Sequence, residues 1–265
     1  MVNEITIWVY DDEGTSELSV KSVLATVQKK LKTAGIITIQ TISSADILNH
    51  KLASKSPGKG VLIMPGGADL PYCQKLNGLG NDIIRQFISK GNIYIGICAG
   101  GYYGAREIEF SGAGYEINGA RELAFFTGTA IGSIKEFTNG QYYDEKVGSK
   151  AIVTLDYANG QQDEVYYHGG AYFLADADAE FEALATYSNG HNAVVSGNIG
   201  EGKYLLSGVH FELCPIMYER YVVAQADDTG IEKESNLLLA ISNEHYGEFI
   251  YKEIDKMIAG VFEKN

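Results

Sequence analysis

Cys98 lies in the run Gly96-Ile97-Cys98-Ala99-Gly100-Gly101, between an apolar stretch ending at Ile97 and the segment YYGAREIEF. G-x-C-x-G is the cysteine form of the nucleophile elbow, a sharp strand-to-helix turn that lifts one side chain clear of a sheet. Glycines must flank the nucleophile, because side chains there would collide as the backbone folds back. A helix read over YYGAREIEF points its N-terminus at the sulfur, which favours thiolate over thiol. The Ala99 N–H is then placed to donate to an oxyanion. By itself the string is also compatible with a packed core cysteine; the strand before it, the helical pattern after it and the third glycine favour the elbow.

A second glycine loop, Pro65-Gly66-Gly67-Ala68-Asp69, follows the apolar run VLIM. Such a loop at the C-terminal end of a parallel strand is where α/β sheets place ligand sites. N–H groups at Gly66 and Gly67 are the candidate second oxyanion donors. A cysteine nucleophile needs a base, and the base needs an orienting acid. Of five histidines, His50, His191 and His245 read as surface residues, and His168 stands in YYHGG. Only His210 has a carboxylate at i+2, Glu212. In an extended segment the two side chains share a side, so Glu212 reaches the imidazole nitrogen away from sulfur.

The elements that would carry these residues alternate. ITIWVY (5–10), IITIQTI (36–42), VLIM (61–64) and NIYIGI (92–97) read as strands. Val20, Val23, Leu24, Val27 and Leu31 recur at helical spacing before Gly35, as do Leu79, Ile83, Ile84, Phe87 and Ile88. SADILNHKL predicts a short helix and SKSPGKG a polar turn. Apolar strands without polar alternation, separated by helices, imply a parallel sheet covered on both faces. Residues 111–165 are Gly- and Tyr-rich and read as β-hairpins inserted beside that sheet. ALATYSNGHNAVVSGNIGEGKYLLSG predicts three strands with tight turns. The tail over 230–265 is helical, with Tyr246, Ile250, Ile254, Met257, Ile258 and Val261 on one face. No linker or repeat divides the 265 residues, which favours one domain.

Composition bounds the partners. The net charge of −13 argues against nucleic acid or an anionic membrane surface, since either wants a basic patch. No run approaches a bilayer-spanning length, and the start MVNEITIWVYDDEG lacks signal-peptide features, so a cytoplasmic chain is expected. Cys73, Cys98 and Cys214 make neither a disulfide framework nor a zinc pattern. No metal or organic cofactor is expected.

Together, PGGAD (65–69), G-x-C-x-G with GGYYG (96–104) and H-x-E (210–212) resemble the class I glutamine amidotransferase superfamily. The run 65–110, RELAFFTGTA (121–130) and GGAYF (169–173) resemble one branch of it, the N-terminal amidotransferase-like domain of biotin–protein ligases. The resemblance covers about residues 1–215. It implies an α/β, flavodoxin-like three-layer sandwich with a central mostly parallel sheet. It also implies Cys98 as nucleophile, His210 as base, Glu212 as orienting acid, and Gly67 with Ala99 as oxyanion hole. Gly66, Asp69, Tyr102, Tyr103 and His168 are the candidate pocket residues. The family's histidine motif is usually H-P-E, and Phe211 stands at its middle position here.

The implied activity is hydrolysis of a small, glutamine-like amide, with an ammonia-accepting synthase or a biotin-related enzyme as partner. No biotinyl-adenylate loop is present, so biotin ligation by this chain is not expected. The alternative is a non-catalytic module that binds a ligand or partner. A redox-sensing cysteine protein would have no need of Glu212. Arg106, Glu107 and Glu109 are either structural ion pairs or substrate contacts.

Overall fold

The computed structural model describes residues 4–33, 36–52 and 59–262; Gly35 and residues 54–58 of the expected SKSPGKG turn lie outside them. Strand β1 (Glu4–Tyr10) leads into helix α1 (Glu17–Lys30), whose first turn is capped by Ser16. β2 (Ile36–Ile42), α2 (Ser44–Leu48) and β3 (Lys59–Met64) follow. Ser43 and Asp46 close α2 with a reciprocal capping box, which fixes the start of this short helix. Then come α3 (Asp69–Leu76), α4 (Leu79–Ser89), β4 (Ile93–Ile97) and α5 (Ala99–Gly104). α3 was not foreseen in the sequence, because Gly-Gly and Pro71 obscure its start. On α4, Ile83, Ile84 and Ile88 are buried, while Leu79 is exposed.

Beyond α5 the chain forms β5 (Ala105–Gly112), β6 (Tyr115–Ala120), β7 (Phe126–Gly132), β8 (Lys150–Tyr157), β9 (Gln162–His168) and β10 (Tyr172–Ala175). β11 (Glu182–Tyr187), β12 (Asn192–Ile199) and β13 (Gly202–Ser207) are the three strands expected from the Asn-Gly and Gly-Glu-Gly turns. Helices α6 (Pro215–Tyr221), α7 (Ile231–Ile241) and α8 (Glu248–Phe262) complete the described chain.

The fold is α/β. Its main sheet has nine strands in the order β2-β1-β3-β4-β13-β12-β11-β8-β9. The first five are parallel. The remaining pairings are antiparallel, so hairpins extend a parallel sheet into a mixed one. A second sheet, ordered β10-β7-β5-β6, lies beside it. The sequence places all of 111–165 in hairpins beside the main sheet; the structure divides it, with β8 and β9 joining the main sheet's edge and β6 and β7 going to the second sheet.

Both faces of the parallel strands are covered, as their unbroken apolar sequence requires. Ile7, Val9, Ile63 and Ile95 face a core shared with α1 and α8, whereas Trp8, Leu62, Met64 and Tyr94 face one shared with α4 and α5. Burying one such side chain contributes about 1.5–3 kcal/mol. The expected face of α8 is met: Ile250, Ile254, Met257 and Ile258 are buried, Val261 is partly so, and Tyr246 is buried just before the helix.

Candidate functional site

β3, β4 and β13 are adjacent, so three loops meet at their C-terminal ends. These loops carry Gly66-Gly67, Cys98 and His210. Cys98 has φ +49° and ψ −103°, a conformation strained for any residue with a Cβ. Two bonds hold it there: its N–H donates to the Ser207 carbonyl at 2.8 Å, and its carbonyl accepts the Tyr102 N–H at 2.9 Å. Gly100 is required by contact rather than by φ, since a Cβ there would lie 2.0 Å from the Met64 carbonyl oxygen. The helix after the cysteine is shorter than the sequence indicates. α5 ends at Gly104, and AREIEF enters β5, because β7 pairs with it in the second sheet. Six residues give a weaker axial dipole than the long helix expected there.

His210 does not lie in an extended strand either. It makes an isolated bridge to Tyr166, and Glu212 follows in a turn. The turn still brings Glu212 Oε1 to 2.9 Å from His210 Nδ1. The His210 N–H donates to the Tyr166 carbonyl at 3.0 Å, and the Tyr246 hydroxyl donates to the His210 carbonyl. Phe211, at the middle position of the motif, is buried in the core against Tyr251. Burial would push the His210 imidazole down, but the Glu212 carboxylate and the hydrogen-bonded Cys98 outweigh it and hold the ring well above its ordinary value. The Cys98 Sγ also lies 3.8 Å from the His168 carbonyl oxygen.

Glu212 is fully buried, and helix α1 explains how it is held. Ser19 Oγ donates to Glu212 Oε1 at 2.7 Å, Thr26 Oγ1 donates to the Glu212 carbonyl at 3.1 Å, and the Cys214 N–H donates to Ser22 Oγ at 3.1 Å. Three hydroxyls one or two turns apart thus grip one loop. Sequence reading missed them. The signal was there: Ser19 and Ser22 lie in the buried stripe of α1 beside Val20, Val23 and Val27, where polar residues need partners.

Ser19 Oγ also accepts the Gly66 N–H at 3.0 Å. Gly66 is therefore engaged and is not free to donate to an oxyanion, contrary to the expectation. It abuts His210 instead: a Cβ at Gly66 would lie 2.7 Å from His210 Cε1. Ala68 is tied to the Gly14 carbonyl at 2.8 Å. Among the described residues no acceptor takes the N–H of Gly67 or of Ala99. Gly67 has φ +143°, and a Cβ there would sit 2.0 Å from the Gly14 carbonyl oxygen.

Cys98, Ala99, Gly67 and His210 open into a cleft of about 570 Å³. Tyr102 and His168 line it, as expected. Tyr102 donates to the Gly169 carbonyl at 3.0 Å. Burial pushes the His168 imidazole down to about 3, so it is neutral, and its Nε2–H points at the Asp144 carbonyl 2.8 Å away. Asp69 lines the cleft but is bound to Arg121 Nε at 2.6 Å. Tyr103 is not a pocket residue. It is fully buried against Tyr72 and donates to Asn81, because neighbouring positions on α5 point in different directions. Arg106 is in an ion pair with Asp176. Sequence reading also missed Lys150, a cleft residue whose Nζ meets Glu234 at 2.6 Å, with the Tyr218 hydroxyl donating to the other Glu234 oxygen at 2.6 Å. Nothing local in the sequence pairs residues so far apart.

Among the described residues no group of His, Cys, Asp and Glu is arranged to hold a metal ion. No helix among them is long and apolar enough to cross a membrane.

The fold is an α/β fold with a strained cysteine-bearing turn after its fourth parallel strand. The family model "Biotin-protein ligase, N terminal" matches residues 5–259. The chain belongs to that family. It is 26% identical over 217 residues to a biotin–protein ligase of Schizosaccharomyces pombe, covering 78% of this chain and 33% of the ligase. The chain thus spans about a third of the length of that relative. An uncharacterized protein of Chlamydia muridarum is 28% identical over 226 residues, covering 81% of this chain and 83% of that one. A solved glutamine amidotransferase superposes with a TM-score of 0.41 at 19% identity, covering 64% of this chain and 84% of the other.

Proposed function

We propose that the chain hydrolyses a small primary amide through Cys98, with His210 as base, Glu212 as its orienting acid, and the N–H groups of Gly67 and Ala99 as oxyanion donors. The observation that carries this reading is the strained turn at Cys98 set beside a His210 imidazole locked onto a buried carboxylate 2.9 Å away.

In the reaction the Cys98 sulfur attacks the amide carbon and an S–C bond forms. Charge develops on the carbonyl oxygen, where two free N–H groups stabilise it. The C–N bond then breaks, and the His210 imidazolium gives its proton to the leaving ammonia. Water, deprotonated by His210, cleaves the thioester and releases a carboxylic acid and the thiol. The kinship with biotin–protein ligase makes a biotin-related enzyme the first partner to test, followed by a synthase that accepts the ammonia.

The test compares Cys98 with Cys73 by iodoacetamide labelling and peptide mass spectrometry. Burial pushes the Cys73 thiol up to about 11, which makes it a slow internal reference. Cys98 is expected to label much faster than Cys73 at neutral pH, and His210→Ala is expected to abolish the difference. Ammonia release from primary amides should disappear in Cys98→Ala. Equal labelling in wild type and His210→Ala, with no amide consumed, would overturn the reading in favour of a binding module.

A further inference from the structure

One wall of the cleft that holds Cys98 comes from the second sheet. Side chains alternate along β5 and β6, so Ile108 and Phe110 share a face with Tyr115 and Ile117, and all four line the cleft. Phe110 lies directly opposite Ile117 in the antiparallel register. Its ring meets Tyr102 edge-on at 5.6 Å, Tyr143 at 5.7 Å and Tyr115 at 5.9 Å. Tyr115 is 46% exposed. The cysteine thus shares its cleft with an apolar, aromatic wall whose exposed part is Tyr115.

The charged groups of the cleft are already committed. Lys150 is bound to Glu234, Asp69 to Arg121, and His210 to Glu212. Glu145 accepts the Tyr143 hydroxyl at 2.8 Å. His168 is neutral. An amino-acid carboxylate entering here would lose hydration without gaining a free cation among the described lining residues.

We propose that the acyl group taken by this site is aromatic or branched apolar and carries no charge near the scissile amide, so that free glutamine is a poor substrate. The inference rests on Cys98 being the nucleophile of an amide hydrolase and names the substrate class of that same site. The apolar acyl group lies against Phe110 and Tyr115, with its carbonyl between Cys98 and the two N–H groups. Attack, loss of ammonia and hydrolysis then proceed as described above, giving an aryl- or alkyl-substituted carboxylic acid.

The experiment has two arms. In the first, 3-phenylpropionamide and glutamine are titrated into the Cys98→Ala protein and followed by ligand-detected NMR. The aryl amide should bind at least about tenfold more tightly than glutamine, and Tyr115→Ser or Phe110→Ser should weaken aryl-amide binding by about five- to tenfold and so shrink that preference. Tyr115 is half-exposed, so its replacement keeps the fold even if that of Phe110 does not. Glutamine binding as tightly as the aryl amide, or aryl binding indifferent to Tyr115→Ser, would overturn the proposal.

In the second arm, the wild-type protein is assayed for ammonia release from both amides. Faster release from the aryl amide supports the proposal, and faster release from glutamine overturns it. Selective aryl binding with no release from either amide, and no thioester on Cys98, overturns the hydrolase reading while the preference of the cleft stands.

Discussion

Ser19 donates its hydroxyl to Glu212 at 2.7 Å and accepts the Gly66 N–H at 3.0 Å. One side chain thus ties the buried carboxylate behind His210 to the glycine loop beside it. The Glu212 oxygen it binds is the one that meets His210 Nδ1. The second carboxylate oxygen is buried without a partner among the described residues, so Ser19 and His210 carry the orientation of the whole group.

Ser19→Ala is expected to slow both Cys98 alkylation and amide turnover by about tenfold, since a hydrogen bond to a charged group is worth about 1.5–3 kcal/mol. A structural role alone would lower the melting temperature and leave the labelling ratio of Cys98 to Cys73 unchanged. A Ser19→Thr variant, which keeps the hydroxyl, should restore that ratio.

Gly100→Ala places a methyl group 2.0 Å from the Met64 carbonyl oxygen and 2.7 Å from its carbon, backbone atoms that cannot swing aside as a side-chain tip can. The substitution should cost more than about 2 kcal/mol of stability, by the mechanism of overpacking against fixed backbone. Chemical denaturation measures it. A loss below about 0.5 kcal/mol would show that the elbow has room to open.

Lys150 and Glu234 form a pair that is almost wholly buried, at 2.6 Å. Glu234→Leu alone strands the ammonium and should cost about 3–5 kcal/mol. The double variant Lys150→Met with Glu234→Leu removes both charges and should recover most of that loss. Denaturation of the two single variants and the double variant forms a cycle that reads the coupling directly.

His168 sets an acid limit on stability. Its folded value, near 3, lies below the ordinary value of about 6.5, because burial penalises the charged ring. The stabilisation is complete above about pH 6.5 and is lost as the pH falls towards 3, because the unfolded chain takes up the proton first. His168→Gln, which cannot titrate, should flatten the difference in melting temperature between pH 7 and pH 4 relative to wild type. Parallel curves for the two proteins would show that His168 is not the group responsible.

Local patterns were enough for the parallel half of the fold. The apolar runs at 5–10, 36–42, 61–64 and 92–97 and the helical spacing of Val20, Val23 and Val27 correspond to β1, β2, β3, β4 and α1, because burial on both faces leaves an unbroken apolar signature. The glycines around Cys98 and the spacing of His210 and Glu212 were legible for the same reason, since tight backbone and short-range contacts leave their mark in neighbouring residues. AREIEF was misread as helix because its conformation is decided by pairing with β7, a tertiary contact that overrides local preference. Tyr103, two positions from a glycine of the elbow, faces the core rather than the cleft because of the direction α5 takes. The grip of Ser19 on Glu212 spans 193 residues and the Lys150–Glu234 pair spans 84. Short-range periodicity carries no information about such partners; only the packing of α1 against the loop after β13, and of α7 against β8 and β9, brings them within hydrogen-bonding distance.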